Sequence, residues 1–366
     1  MRLHWIELRE FRSHRESRLA LDGAPAFILG ENGSGKSNLI EAIVLLSLGR
    51  SFRGARDAEM AFRGAGGYEL HARVEDRAGA ATEIGACGSG RGGREITLNG
   101  APLGRLTDLL GRFPTVHFSV DDVTTLNAGA AARRRFLDVA LCQLEPAYVG
   151  ALREYGAALR ARNRLLAARE ETGDDPEMDV WEEILARSGL DLDRRRAALA
   201  QEVTRALGEL GADVDARLEP ELAYPEPGAV GGLGETVEAR RGGLERARRR
   251  DRRIGWTGDG PHRARPACRI GGEELLDGAS RGYARMYSIL LRLALSRVFE
   301  ERQGEPPVIL LDDPESELDG RWMGPLLRLL PAGSQAVMTG CRAPADLPAP
   351  FRCIPIETMA AAGAAA

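Results

Sequence analysis

Gly30-Glu31-Asn32-Gly33-Ser34-Gly35-Lys36-Ser37 is the stretch on which the reading of this sequence turns. It fits G-x-x-x-x-G-K-[ST] at every position. Just before it, Ala26-Phe27-Ile28-Leu29 has the character of a short buried strand. Just after it, Asn38 to Leu46 carries apolar residues at 39, 40, 43, 44 and 46, a helical period. Strand, Gly-rich loop and helix make an anion cradle. Glycines let backbone N–H groups turn inward and let phosphate come close. The helix N-terminus adds the positive end of its dipole. Lys36 is a compact charge on a thin stem that reaches the β- and γ-phosphates, and the Ser37 hydroxyl is placed to ligate Mg²⁺. All eight residues, Gly30 through Ser37, are candidate nucleotide ligands. Lys36 is also the only lysine among 50 basic residues; the other 49 are arginine (50 − 1).

Working outward, a second stretch completes the chemistry. Pro307-Val308-Ile309-Leu310-Leu311-Asp312-Asp313 reads as a strand buried on both faces that ends in two carboxylates. Ligands of open α/β sheets sit at the carboxyl ends of strands. Asp312 is the candidate Mg²⁺ ligand, directly or through water, and Asp313 the group that orients or deprotonates an attacking water. Between the two stretches, Leu276 to Tyr283 precedes a long helix with Met286, Ile289, Leu290, Leu293, Ala294 and Val298 at helical spacing. Ser280 stands where an N-cap belongs, at a helix end able to receive an anion.

These elements together resemble an ABC-type ATPase head of the class that includes SMC and Rad50 proteins. Phe11-Arg12, Gly49-Arg50-Ser51-Phe52-Arg53, His117 to Asp122, Arg133-Arg134-Arg135-Phe136-Leu137-Asp138, Arg162-Asn163, Gly260-Pro261-His262-Arg263 and Met338-Thr339-Gly340 narrow the likeness to the RecF family. The resemblance implies an α/β fold, a P-loop ATPase head with an inserted, mainly helical second lobe. Residues 1–125 and 300–366 would form the ATPase lobe, and 126–299 the helical lobe with the signature. It implies that Ser280 and Gly282 act in trans, closing the phosphate loop of a second copy, and that Ser316 to Asp319 form the D-loop. ATP with Mg²⁺ would then drive a head-to-head homodimer. Implied partners are duplex DNA at single-strand gaps or junctions, RecR and, indirectly, the RecA recombinase. The chain departs from the family pattern at Tyr283, where the signature usually has Gln, at Ala264-Arg265, where two aspartates are usual, and at Pro314. These departures motivate a second reading, a nucleotide-switched DNA clamp or scaffold with negligible turnover. A transporter ATPase subunit is disfavoured by the signature, the helical insertion and the arginine clusters.

The net charge of −4 gives DNA binding no support, so that case rests on asymmetry. Arg240, Arg241, Arg246, Arg248, Arg249, Arg250, Arg252 and Arg253 crowd into fourteen positions. Arginine forks suit phosphate oxygens, yet the same run also reads as a solvated helix face. The run from Arg246 to Arg253 is the DNA candidate; Arg133 to Arg135 reads either way, with Asp138 as a structural partner. Aromatics, at 5%, are absent from these clusters, so stacking on single strands is disfavoured.

Other features exclude classes. No apolar window approaches the ~18 residues a membrane helix needs, and Ala42 to Leu48 reads as part of an amphipathic helix. No signal-peptide pattern opens the chain. Cys87, Cys142, Cys268, Cys341 and Cys353 are scattered, with no CxxC, which disfavours a disulfide framework or zinc ribbon and suits the cytoplasm. The length is too short for long coiled-coil arms. Gly85 to Gly93 reads as a hairpin tip or loop. Tyr148, Leu152, Tyr155, Leu159 and Leu166 read as one bundle face, and Glu170 to Glu183 as a polar stretch with eight carboxylates. The histidines His4, His14, His71, His117 and His262 make no metal pattern; only His262, beside Arg263, invites a test, and a structural role there is the simpler reading.

Overall fold

A computed structural model describes residues 1–90, 93–119, 129–168, 176–215, 218–225, 234–275, 281–314, 324–325, 327–344, 347 and 349–359, without the side chains of 281–283. The chain divides into two units, Met1–Thr124 with Ala279–Ala366, and Thr125–Gly278.

In the first unit, strand β1 (Arg2–Phe11) buries Leu3, Ile6, Leu8 and Phe11 completely. That is not the strict alternation of a flat strand. A bulge between Leu3 and Trp5 and the left-handed backbone of Glu10 (φ 50°) each shift the inward set by one residue. β1 lies in a six-stranded antiparallel sheet with β2 (His14–Ala20), β4 (Gly67–Glu75), β5 (Ala81–Ser89), β6 (Glu95–Leu98) and β7 (Ala101–Pro102), in the order β2-β1-β4-β5-β6-β7. Gly85 to Ser89 are therefore strand, not the expected loop. Gly85 pairs with His71 on one side and Thr97 on the other, and a Cβ there would lie 2.5 Å from the Thr97 hydroxyl. Glycine lets neighbours cross the strand here, a use that sequence cannot tell from a turn.

A second, parallel sheet has the order β14-β3-β13-β12-β8, from β3 (Ala26–Leu29), β8 (Thr115–Phe118), β12 (Val308–Leu311), β13 (Ala336–Gly340) and β14 (Arg352–Pro355). β12 and β13 are buried at every residue, as continuous apolar runs in parallel sheets require. Helix α1 (Lys36–Leu48) touches β1, β4 and β5 of one sheet and β8 and β13 of the other. Leu39, Ile40, Ile43, Val44, Leu45 and Leu46 are no more than 1% exposed. The helix is thus buried all round rather than amphipathic. The helix Arg281–Gln303, expected in the helical lobe, belongs to this unit and packs on β8. Met286, Ile289, Leu290, Leu293, Ala294 and Val298 form its buried stripe.

After the short helix α2 (Asp57–Met60), the helices of the second unit are α3 (Ala130–Leu144), α4 (Tyr148–Ala167), α5 (Pro176–Val214) and α6 (Val237–Ile254), followed in chain order by α7, the helix Arg281–Gln303 of the first unit. The second unit adds a small sheet in the order β11-β10-β9, from β9 (Pro220–Ala223), β10 (Ala267–Ile270) and β11 (Glu273–Glu274). Its interior is held by charge as well as by apolar contact. Arg162 is 0% exposed and donates to Glu182 at 3.0 Å, Asp251 at 2.8 Å, Thr257 at 2.9 Å and the Leu244 carbonyl at 3.0 Å. A guanidinium so buried is tolerated only because its donors are matched.

Candidate nucleotide site

The phosphate loop leaves the end of β3 and enters α1. Its glycines have separate causes. Gly33 and Gly35 take positive φ, 84° and 102°, where a side chain is strained. Gly35 is also crowded: a Cβ would lie 2.6 Å from the Ser13 hydroxyl and 2.8 Å from His14 Nε2. At Gly30 a Cβ would meet Ile356 at 2.6 Å and Ser34 Oγ at 2.7 Å. The Gly30 N–H donates to the Gly340 carbonyl at 3.2 Å, tying the loop to the end of β13.

His14 fixes the other side of the loop. Its Nε2 lies 3.1 Å from the Gly35 carbonyl and its Nδ1 2.9 Å from Ser17 Oγ. Since a carbonyl only accepts, the neutral ring carries its proton on Nε2. Burial lowers its pKa, against a smaller opposing pull from the Gly35 carbonyl. In the sequence His14 stands as an isolated histidine with no such signal.

Lys36 is 6% exposed and folds back over the loop, donating to the carbonyls of Gly30 at 2.7 Å and Glu31 at 2.8 Å. Cys341 Sγ lies 3.8 Å from Nζ and donates to Asn32 Oδ1 at 3.0 Å. At the helix start, Ser37 Oγ donates to Asp312 Oδ1 at 2.9 Å. The same oxygen accepts from Thr339 Oγ1 at 2.8 Å, and the Asp313 N–H donates to that hydroxyl at 2.9 Å. Asp313 has φ 48°, so the chain turns sharply as it leaves the strand. Sequence-distant residues 37, 312 and 339 thus converge within hydrogen-bond reach.

Around this centre lies a cluster that sequence touched only through resemblance. Glu41 of α1 is 0% exposed. Arg12 grips it with two bonds, 2.9 and 2.7 Å, Arg53 adds one at 3.1 Å, and Ser51 Oγ donates at 2.5 Å. Arg53 also reaches Asn38 Oδ1 at 3.0 Å, and Asn38 donates to Ser13 at 2.9 Å. Two guanidinium groups against one carboxylate leave the flank of the phosphate loop cationic.

The donor set fits a hard cation. A Ser hydroxyl and an Asp carboxylate side by side are oxygen ligands of the type Mg²⁺ takes alongside substrate phosphates and water. No cluster of three His, Cys, Asp or Glu able to hold a metal occurs among the described residues. Ser280, and the stretch Ser316 to Asp319, lie outside the described residues; Gly282 is in the first turn of the helix Arg281–Gln303.

The arginine run divides along α6. Arg246, Arg249 and Arg253 are exposed and form no ion pair among the described residues. Arg248 is engaged inside: it pairs with Asp179 and, at 2.6 Å, with Glu182, and is 17% exposed. Arg250 pairs with Asp251 at 2.9 Å and Asp259 at 2.6 Å. Arg252 is half-buried. Arg248 is accordingly corrected from a DNA candidate to a structural residue, and Arg250 is largely neutralised. Arg133 pairs with Glu274 at 2.9 Å, while Asp138 pairs with Arg196.

The family described as RecF/RecN/SMC N terminal domain matches residues 2–344. The DNA replication and repair protein RecF of Synechococcus sp. (strain JA-3-3Ab) is 33% identical over 349 residues, 93% of this chain and 91% of its own. That of Prosthecochloris aestuarii (strain DSM 271 / SK 413) is 30% identical over 349 residues, 93% of each. The chain belongs to the RecF family. Among solved structures, that of the recombination mediator protein RecF-ATP in the RecFOR pathway is 28% identical with a TM-score of 0.85, covering 97% of this chain and 96% of that one. The SMC head bound to the C-winged helix domain of ScpA, at 15% identity and a TM-score of 0.55, shares the fold alone. The fold is the ABC-type P-loop head with a helical insertion, as the RecF likeness implied. Among the described residues no helix is long and apolar enough to cross a membrane.

Proposed function

We propose that this RecF-family chain binds ATP with Mg²⁺, dimerises head to head, holds duplex DNA at single-strand gaps or junctions, and hydrolyses ATP to release the dimer. With RecR it would help load RecA in recombinational repair and replication restart, as a cytoplasmic protein. One observation carries the reading: Lys36, Ser37, Asp312 and Asp313 converge at the end of a parallel sheet, on a loop built from glycines that side chains would block.

The roles follow from position. Residues Gly30 to Ser37 cradle the phosphates with backbone N–H groups, and Lys36 shifts its donors from two carbonyls to phosphate oxygens. Ser37 and Asp312 would hold Mg²⁺, which would offset the charge of the phosphates. Thr339, bonded to both the Asp312 carboxylate and the Asp313 N–H, keeps the metal-side and water-side carboxylates in fixed relation. Asp313 orients or deprotonates the attacking water. Gly282, in the first turn of α7, and Ser280, just before that helix in sequence, would present N–H groups to the γ-phosphate held by the partner copy. The exposed arginines Arg246, Arg249 and Arg253 recur at helical spacing on α6 and suit backbone phosphates.

Molar mass measured with ADP, ATP and a slowly hydrolysed analogue tests the core of this reading. A dimer with ATP and the analogue, and a monomer with ADP, is the expected result; one mass in all three ends it. Tyr283 supports the alternative of a clamp without turnover. Phosphate release that Asp313→Asn abolishes would exclude that alternative.

A further inference from the structure

The stretches Arg133–Asp138 and Gly260–Arg263 meet in the second unit. In the first, Arg133 pairs with Glu274 at 2.9 Å, Leu137 is fully buried, and Asp138 accepts Arg196 at 2.8 and 2.9 Å and the Tyr148 hydroxyl at 2.6 Å. In the second, Gly260 has φ 138°, and a Cβ would lie 2.5 Å from the Tyr155 hydroxyl oxygen. The Pro261 carbonyl accepts from Arg196 at 3.0 Å. His262 bridges the Tyr155 hydroxyl at 2.6 Å and the Thr257 carbonyl at 3.1 Å. Arg196 therefore ties α3 to the turn at Pro261–Arg263. Most of these residues hold the scaffold; Arg135 and Arg263 do not, and Arg134 does so through a single bond to a neutral carbonyl.

Arg134 donates to the Ala264 carbonyl, which places its guanidinium between Arg263 and Arg265 in sequence. Arg135, Arg263 and Arg265 are exposed and Arg134 is half-buried. None of the four forms an ion pair among the described residues. Nearby acids are taken: Asp138 gives both oxygens to Arg196, and Asp259 is bound to Arg250 at 2.6 Å. Burial, then the charge of Arg196, lower the pKa of Arg134, against an opposing pull from Tyr224 and Asp138 and with a smaller lowering from Arg263. The His262 ring is likewise lowered by burial first, with Arg263 and Arg134 adding to it. Asp138 offsets part of this charge but is itself held by Arg196, so like charges remain together on a rigid frame. An anion that supplies several phosphate oxygens would relieve that repulsion, and planar forks from two elements match successive phosphates of a strand.

We propose that Arg134 and Arg263, flanked by Arg135 and Arg265, form a binding site for the phosphodiester backbone of nucleic acid. It rests on the DNA-binding reading above and gives that reading a second address beside α6. The site grips phosphate and carries no base readout.

The test is fluorescence anisotropy of a labelled duplex with the full chain over a salt series, alongside ATP binding. Arg134→Gln/Arg263→Gln should lower the log–log salt slope by about 1.8, roughly 0.9 for each phosphate no longer neutralised, and weaken binding tenfold or more, on the order of a charge-assisted bond. ATP affinity should not change. Arg134→Lys/Arg263→Lys should restore the slope. Should the double Gln variant melt early, Arg263→Gln alone carries the test, with a slope change of about 0.9. An unchanged slope in a protein whose wild type holds duplex overturns this site and leaves the DNA reading standing, as does loss of ATP affinity with DNA affinity kept. A wild type that holds no duplex overturns both.

Discussion

Lys36 and Arg162 are both deeply buried cations, and their surroundings could hardly differ more. Lys36 rests on two backbone carbonyls with no carboxylate attached. Arg162 is closed in by two carboxylates, a hydroxyl and a carbonyl. A cation held by neutral oxygens keeps its charge for a ligand; one held by carboxylates becomes part of the architecture. The same contrast separates neighbours on α6, where Arg248 is bound by Asp179 and Glu182 while Arg249 is exposed.

The sharpest way to break the comparison is Arg162→Met. It takes from Glu182 and Asp251 the buried cation they share, leaving them to Arg248 and Arg250, and should cost about 3 kcal/mol, the lower end for a broken buried pair, read as a lower urea midpoint. Loss of less than about 1 kcal/mol, the value of a surface pair, would mean the network is not structural. Next comes Lys36→Ala. Stability should barely move, whereas ATP affinity should fall roughly a hundredfold as one or two charge-assisted bonds to phosphate disappear; calorimetric titration reads this directly. The smallest effect is expected at Arg187→Ala. Its partner Glu154 is 2.6 Å away, but both are exposed, at 63% and 44%, so the change should stay under about 1 kcal/mol by chemical denaturation.

Acidity probes both regions at once. His14 in the first unit and His262 in the second have pKa values lowered from 6.5 by burial. The unfolded chain therefore takes up protons that the folded chain refuses. Stability is fully present above pH 6.5 and falls as pH drops through that value toward the lower folded pKa of each ring. Paired urea titrations at neutral and mildly acid pH should show a smaller drop in His14→Gln than in the wild type. An equal drop would mean that the ring titrates freely.

What was legible in the sequence was contiguous. The loop Gly30–Ser37 needs only its own spacing and flanks, and the strand before Asp312 announces itself by an unbroken apolar run. Thr339 stands out in the sequence only through the family likeness, because its role depends on β13 lying beside β12. Glu41 was hidden inside an apolar helix, and its partners Arg12, Ser51 and Arg53 come from separate turns. Nothing local could show that Gly85 is spanned by neighbours on both sides, or that Arg248 faces inward while Arg249 does not. Those facts belong to pairing across the fold, and only the approximate helix and strand periods could be read without it.

The solitary lysine has a chemical corollary. Acylating reagents, acetyl donors and isopeptide-forming tags all seek an ε-amine, and this polypeptide offers one such target, 94% shielded and already bonded to Gly30 and Glu31. Any adduct found on a lysine side chain of this molecule would therefore report on the phosphate cradle itself, and bound triphosphate would shield that amine.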